Sequence, residues 1–131
     1  MSASQKENRD STSPDAVTPM AFSPLAEGVF HARLAATAGV AVVLFSAPAC
    51  GACQGWKRLL PTALAGRVSA LYEVDVSEAT GVARYFGIFH LPTLYLYRDG
   101  QFHAELQCEA RHEAIQQAML SLLAAPAQNE P

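Results

Sequence analysis

Cys50 and Cys53 are separated only by Gly51 and Ala52, directly after the apolar run Val40-Ala41-Val42-Val43-Leu44-Phe45. Trp56, Leu59 and Leu60 follow at helical spacing. A buried strand feeding a helix would set Cys50 at the helix N-terminus and Cys53 one turn further in. Thiols at i and i+3 can close a disulfide on themselves without unfolding the backbone. The unpaired amides and the positive end of the helix dipole favour the ionised form of Cys50. A dithiol placed in this way exchanges electrons with other disulfides.

The rest of the chain narrows what that dithiol serves. Its 131 residues are enough for one domain with a single core. Half are hydrophobic and 16% are charged, an ordinary globular composition. The net charge is −3 and no Lys/Arg run exists, so no nucleic-acid partner is expected. No apolar stretch approaches the length of a membrane span, so no membrane association is expected either. The first residues are polar, with no apolar signal region, and the expected location is cytoplasmic. Three cysteines are too few for a disulfide scaffold. In a reducing compartment the Cys-x-x-Cys pair reads as catalytic or metal-binding.

Patterning divides the chain into a disordered polar leader over residues 1–19, a domain over 20–125 and a flexible tail over 126–131. Ser23-Pro24 reads as an N-cap with proline in the first helical turn. Leu25, Val29, Ala32 and Ala36 would form that helix's apolar stripe, closed by Gly39. Val40 to Phe45 is a central strand covered on both faces. A helix runs from Cys50 to about Ala65, interrupted or bent at Pro61. Val68 to Val76 is a second strand, with Val74 and Val76 on one face and Glu73 and Asp75 on the other. Ser77 caps a short helix carrying Val82 and Phe86 and closed by Gly87. Thr93 to Arg98 and Gln101 to Gln107 pair through an Asp99-Gly100 hairpin turn. Ile115, Met119, Leu122 and Leu123 mark a last helix, which stops before Pro126. The order predicts an α/β fold, a three-layer sandwich with a mixed central sheet and helices on both faces.

The stretch Phe45-Ser46-Ala47-Pro48-Ala49-Cys50-Gly51-Ala52-Cys53, then Gly87-Ile88-Phe89-His90-Leu91-Pro92-Thr93, then Asp99-Gly100, resembles the thioredoxin family. The resemblance covers roughly Ser23 to Ala124. It implies a thioredoxin-like fold and a thiol–disulfide oxidoreductase that reduces protein disulfides. Cys50 would attack to form a mixed disulfide, and Cys53 would resolve it. A cis Leu91–Pro92 bond would open a backbone edge beside the dithiol, with Thr93 presenting that edge to a substrate peptide. Gly51, Ala52, Trp56, Leu91, Pro92 and Thr93 would then line the substrate site, Trp56 as groove wall or core. The partners implied are protein disulfides and a reductase or small thiol as electron donor, with no cofactor.

Several positions depart from the family pattern. Ser46 and Ala49 stand where aromatic residues usually precede the first cysteine. Leu44 stands in place of a buried aspartate, and Leu71 in place of its lysine partner. Glu73 is the nearest acid on the same strand face, placed to assist deprotonation of Cys53; the plainer reading is a solvated strand-end glutamate. Gly51-Ala52 matches neither the Gly-Pro of the family's reductants nor the Pro-His or Gly-His of its oxidants, so only the expected compartment favours reduction.

Other readings compete at single residues. Zinc would need Cys50 and Cys53 to be joined by Cys108, His90, His103 or His112, but a second paired ligand motif is missing, so no metal is expected. Cys108 reads as a small buried hydrophobe, or else as a third thiol beside the dithiol. His90 is a loop residue that could tune Cys50 when protonated. Tyr85, Phe86, Phe89, Tyr95 and Tyr97 are assigned to packing, and Lys57-Arg58 to a solvated face. The alternative function is a thioredoxin-like binding or chaperone-type module whose dithiol is vestigial or only senses redox state.

Overall fold

The computed structural model describes residues 18–131, so most of the expected leader lies outside the described residues. At the centre is β2 (Val40–Ser46), buried along all but its first residue. Its branched and apolar side chains suit a strand covered from both sides. It pairs in parallel with β3 (Ala70–Asp75) and antiparallel with β4 (Thr93–Arg98). β4 continues antiparallel into β5 (Gln101–Glu105), and the short β1 (Ser23–Pro24) lies outside β3. The sheet order is therefore β1-β3-β2-β4-β5.

The period of two along β2 builds two cores. Ala41, Val43 and Phe45 meet Phe30 and Leu34 of α1 (Phe30–Ala35) and Val82 and Phe86 of α3 (Thr80–Phe86). Val42 and Leu44 meet Trp56 and Leu60 of α2 (Gly51–Ala63) and Ile115 and Met119 of α4 (His112–Ala124). These are the three layers expected from the element order.

The first segment differs from expectation. Ser23-Pro24 does not start a helix but pairs with Tyr72 and Glu73 of β3 as an edge strand, where proline is tolerated. The next amide, Leu25 N–H, donates to the Glu73 carbonyl at 2.9 Å. This pairing holds the chain extended, so helical structure begins only at a 3₁₀ turn over Glu27–Val29. The buried positions become Leu25, Phe30 and Leu34, while Val29 and Ala32 face solvent.

Three smaller differences concern single residues and the chain end. Ser77 does not cap α3, because its N–H and hydroxyl both donate to Asp75 Oδ1, and Ala79 takes the N-cap place. α2 runs through Pro61 and ends at Ala63, and the Pro61 carbonyl accepts Met20 N–H. Within residues 126–131, expected as a flexible tail, Gln128 lies beside β5. There Gln128 N–H donates to the His103 carbonyl at 2.7 Å, and its side-chain oxygen accepts Glu105 N–H.

The hairpin turn is as expected. Asp99 and Gly100 both have positive φ, and a Cβ on Gly100 would stand 2.9 Å from the Ala35 carbonyl oxygen.

Candidate dithiol site

β2 ends at Ser46, and a turn closed by Cys50 N–H to the Ala47 carbonyl brings the chain to α2. Cys50 is the N-cap: its backbone is extended and its sulfur accepts Cys53 N–H at 3.1 Å. Cys53 opens the buried stripe of α2, which continues through Trp56, Leu60 and Ala63. The two sulfurs are joined in a disulfide across a Cα separation of 5.3 Å. Cys50 is half-buried, Cys53 has no exposed surface, and Gly51 and Ala52 are exposed between them. A Cβ on Gly51 would meet nothing within 4 Å, so the approach to the dithiol is open from that side.

A second segment converges on this end of the sheet. The Leu91–Pro92 peptide is cis. Thr93 follows as the first residue of β4, paired opposite Phe45, and its hydroxyl donates to the His90 carbonyl at 2.7 Å. A cavity of about 390 Å³ opens beside them, lined among others by Trp56, His90, Pro92, Thr93 and Cys108. Trp56 is thus a core residue that also forms one wall of this cavity. Leu91 packs against the core cluster of α1 and α3. Cys108 is a free, half-buried thiol; burial pushes its pKa up, while the nearby Arg111 pulls it down.

On the α2 face of the sheet, Leu44 and Leu71 are fully buried, and Glu73 is paired beside Leu44. Glu73 Oε2 accepts the Ser46 hydroxyl at 2.7 Å and stands 2.9 Å from Lys57 Nζ. Lys57, expected on a solvated face, is tied across to β3. Its position one turn beyond Cys53 hinted that it lay beside the dithiol, but nothing local named its partner. Cavities of about 180 Å³ and 400 Å³ both reach Lys57, Glu73 and Asp75.

Among the aromatic residues, Phe86, Tyr95 and Tyr97 pack as expected. Tyr85 is largely exposed, and Phe89, immediately before His90, is 91% exposed. Of the zinc candidates, His103 donates through Nε2 to the Leu122 carbonyl, and His112 lies within hydrogen-bond distance of Thr62. Among the described residues no group of three or more potential ligands is gathered for a metal.

The family model for thioredoxin matches residues 21–121. No curated protein matches the chain in sequence. Human ERp44 in its zinc-bound form is similar in structure, with 22% identity and a TM-score of 0.66; the match covers 77% of this chain and 32% of that one. The chain thus spans about a third of the ERp44 chain. Oxidised mitochondrial thioredoxin 3 of Saccharomyces cerevisiae has 22% identity and a TM-score of 0.65, over 76% of this chain and 94% of that one. A yeast structure described for thiol resolution of a mitochondrial 1-Cys peroxiredoxin through the glutathione and thioredoxin systems has 20% identity and a TM-score of 0.66, over 79% and 98%. These likenesses concern the fold, whereas the family model spans most of the sequence, including both cysteines and Pro92; the chain belongs to the thioredoxin family.

Proposed function

We propose that the protein is a thiol–disulfide oxidoreductase that reduces protein disulfides in the cytosol, with a reductase or small thiol restoring its dithiol. The observation that carries this reading is the unequal burial of the two cysteines at a helix N-terminus. The reduced Cys50 sulfur, reachable and capped by an amide, attacks one sulfur of a substrate disulfide and releases the other as thiolate. Cys53, shielded from outside thiols, gives up its proton to Glu73, attacks Cys50 Sγ and releases the second substrate thiolate. Two electrons pass to the substrate, and the Cys50–Cys53 bond is the oxidised product. Gly51, Ala52, Trp56, Leu91, Pro92 and Thr93 form the surface on which a substrate strand is held, Thr93 and the cis bond giving it a backbone edge.

The test is reduction of insulin with a small dithiol as electron source, comparing the native chain with Cys50→Ser. Loss of the catalysed rate supports the reading, and Cys53→Ser should then accumulate mixed disulfides with substrate proteins. Equal rates would favour the second reading, a binding or chaperone-type module, for which the exposed Phe89, lining one groove with Val76, Ala83 and Ile88, is the specific support.

A further inference from the structure

The end of α4 is fastened to the sheet before the chain leaves it. His103 Nε2 donates to the Leu122 carbonyl at 2.7 Å, and Arg98 donates to the Leu123 carbonyl at 3.1 Å. The last carbonyls of the helix are thus held by side chains of β5 and β4. Beyond them, Gln128 N–H donates to the His103 carbonyl at 2.7 Å, and Gln128 Oε1 accepts Glu105 N–H at 3.1 Å. These two bonds flank Ala104 as those of a parallel strand partner would, with the side-chain oxygen standing in for a backbone carbonyl. Two residues on, Glu130 Oε1 accepts the Tyr85 hydroxyl of α3 at 3.3 Å. α4 and α3 cover opposite faces of the sheet, so the segment between them passes round the free edge of β5.

Both attachment points lead to the cavity of about 390 Å³ beside the cis-Pro segment. Glu105 begins one stretch of its lining, residues 105–108, and Glu105 Oε2 accepts the Gln107 side-chain amide at 3.2 Å. Tyr85 lies in the last turn of α3, and the chain leaving that helix supplies another stretch, with His90, Pro92 and Thr93. We infer that residues 126–131 are a strap that holds these two stretches in place for a protein substrate, with Gln128 as its positioning residue. This rests on the dithiol reading given above and extends it to how the substrate strand is received. With the strap detached, the His103 carbonyl and Glu105 N–H turn to water, and residues 105–108 gain freedom that a bound strand must then remove, at a cost to affinity. The sulfur chemistry does not involve the strap, so the loss falls on binding alone. Residues 126–131 are all exposed, so substitutions there remove hydrogen bonds without opening the core.

Two substrates separate the effects: insulin, whose chain must enter the cavity, and a small aromatic disulfide with a coloured thiolate, which needs only the sulfurs. Cys50→Ser serves to subtract any reaction at Cys108. Gln128→Pro removes both the N–H donor and the side-chain acceptor. It should raise the KM for insulin roughly three- to tenfold, the order that one or two lost hydrogen bonds allow, with kcat and the rate on the aromatic disulfide unchanged. Gln128→Met, which loses only the acceptor, should raise KM by less and speed hydrogen exchange at the Glu105 amide. Gln128→Glu, which keeps an acceptor of the same length, should restore both. An insulin KM that stays at the native value in Gln128→Pro overturns the inference and leaves the oxidoreductase reading intact. An equal loss on both substrates does the same, because it marks a general loosening of the fold. If the native chain shows no Cys50-dependent reduction of either disulfide, the reading and the inference fall together. Should Gln128→Pro fail to fold, Gln128→Met must show the split between the two substrates, and its absence refutes the strap.

Discussion

The sulfur of Cys50 accepts the backbone N–H of Cys53 at 3.1 Å, so the less buried cysteine of the pair also caps α2. At most helix starts an oxygen of Ser, Thr, Asp or Asn fills this place. Here the capping atom gains most when it is negatively charged, because the amide and the helix dipole both attract it. In the reduced protein, Cys50 should therefore be alkylated by iodoacetamide with a pH midpoint below the ordinary cysteine value of about 8.5. Mass-resolved alkylation across a pH series checks this. A midpoint at the free-peptide value would show that the cap does not activate the thiol.

Glu73→Gln keeps the shape of the side chain and its contact with Ser46 but cannot take a proton. Release of substrate from the mixed disulfide should slow by up to about a hundredfold near neutral pH, the lower end of what general-base assistance supplies. Formation of the mixed disulfide is the internal control within the same trace.

Phe86 is the hub of the core between the sheet and α1 and α3. Its ring lies 5.5 Å from that of Phe30, 5.9 Å from Phe45 and 5.2 Å from Tyr95, mostly edge to face. Phe86→Ala should cost about 3–5 kcal/mol through lost burial and the cavity left behind. Urea unfolding reads this as a fall in midpoint.

The Tyr97 hydroxyl is buried and has no hydrogen-bond partner among the described residues. An unpaired buried hydroxyl is costly, so Tyr97→Phe should raise stability by about 1 kcal/mol, with the slope of urea unfolding unchanged.

The same burial sets an alkaline limit. Burial first, then the charges of Glu105 and Glu130, push the Tyr95 pKa up to about 12, and burial pushes Tyr97 higher still. An unfolded tyrosine ionises near 10, so between that pH and about 12 the unfolded chain binds fewer protons than the folded one. Stability is therefore intact below pH 10 and falls as pH rises through this window. Melting temperatures across the range should decline, and less steeply in Tyr97→Phe.

The thiol spacing, the apolar run before it, Gly87 at the end of α3 and Asp99-Gly100 in the hairpin could all be read along the chain. Each expresses a rule acting within a few residues: helix phase, left-handed backbone at a helix end, and turn geometry. The unbroken apolar run of β2 likewise foretold two covered faces. What escaped the sequence depends on partners far away in it. Ser23-Pro24 becomes a strand only because Tyr72 and Glu73 offer an edge, and that pairing overrides a plausible local cap. Ser77 is the local exception, losing its expected role to Asp75 two residues before it. Lys57 acquires Glu73 only when α2 is laid across β3, and Phe89 is left in solvent by the path of a loop. Backbone chemistry is short-ranged and written residue by residue, whereas a salt bridge or an edge pairing exists only after packing has brought two distant segments together.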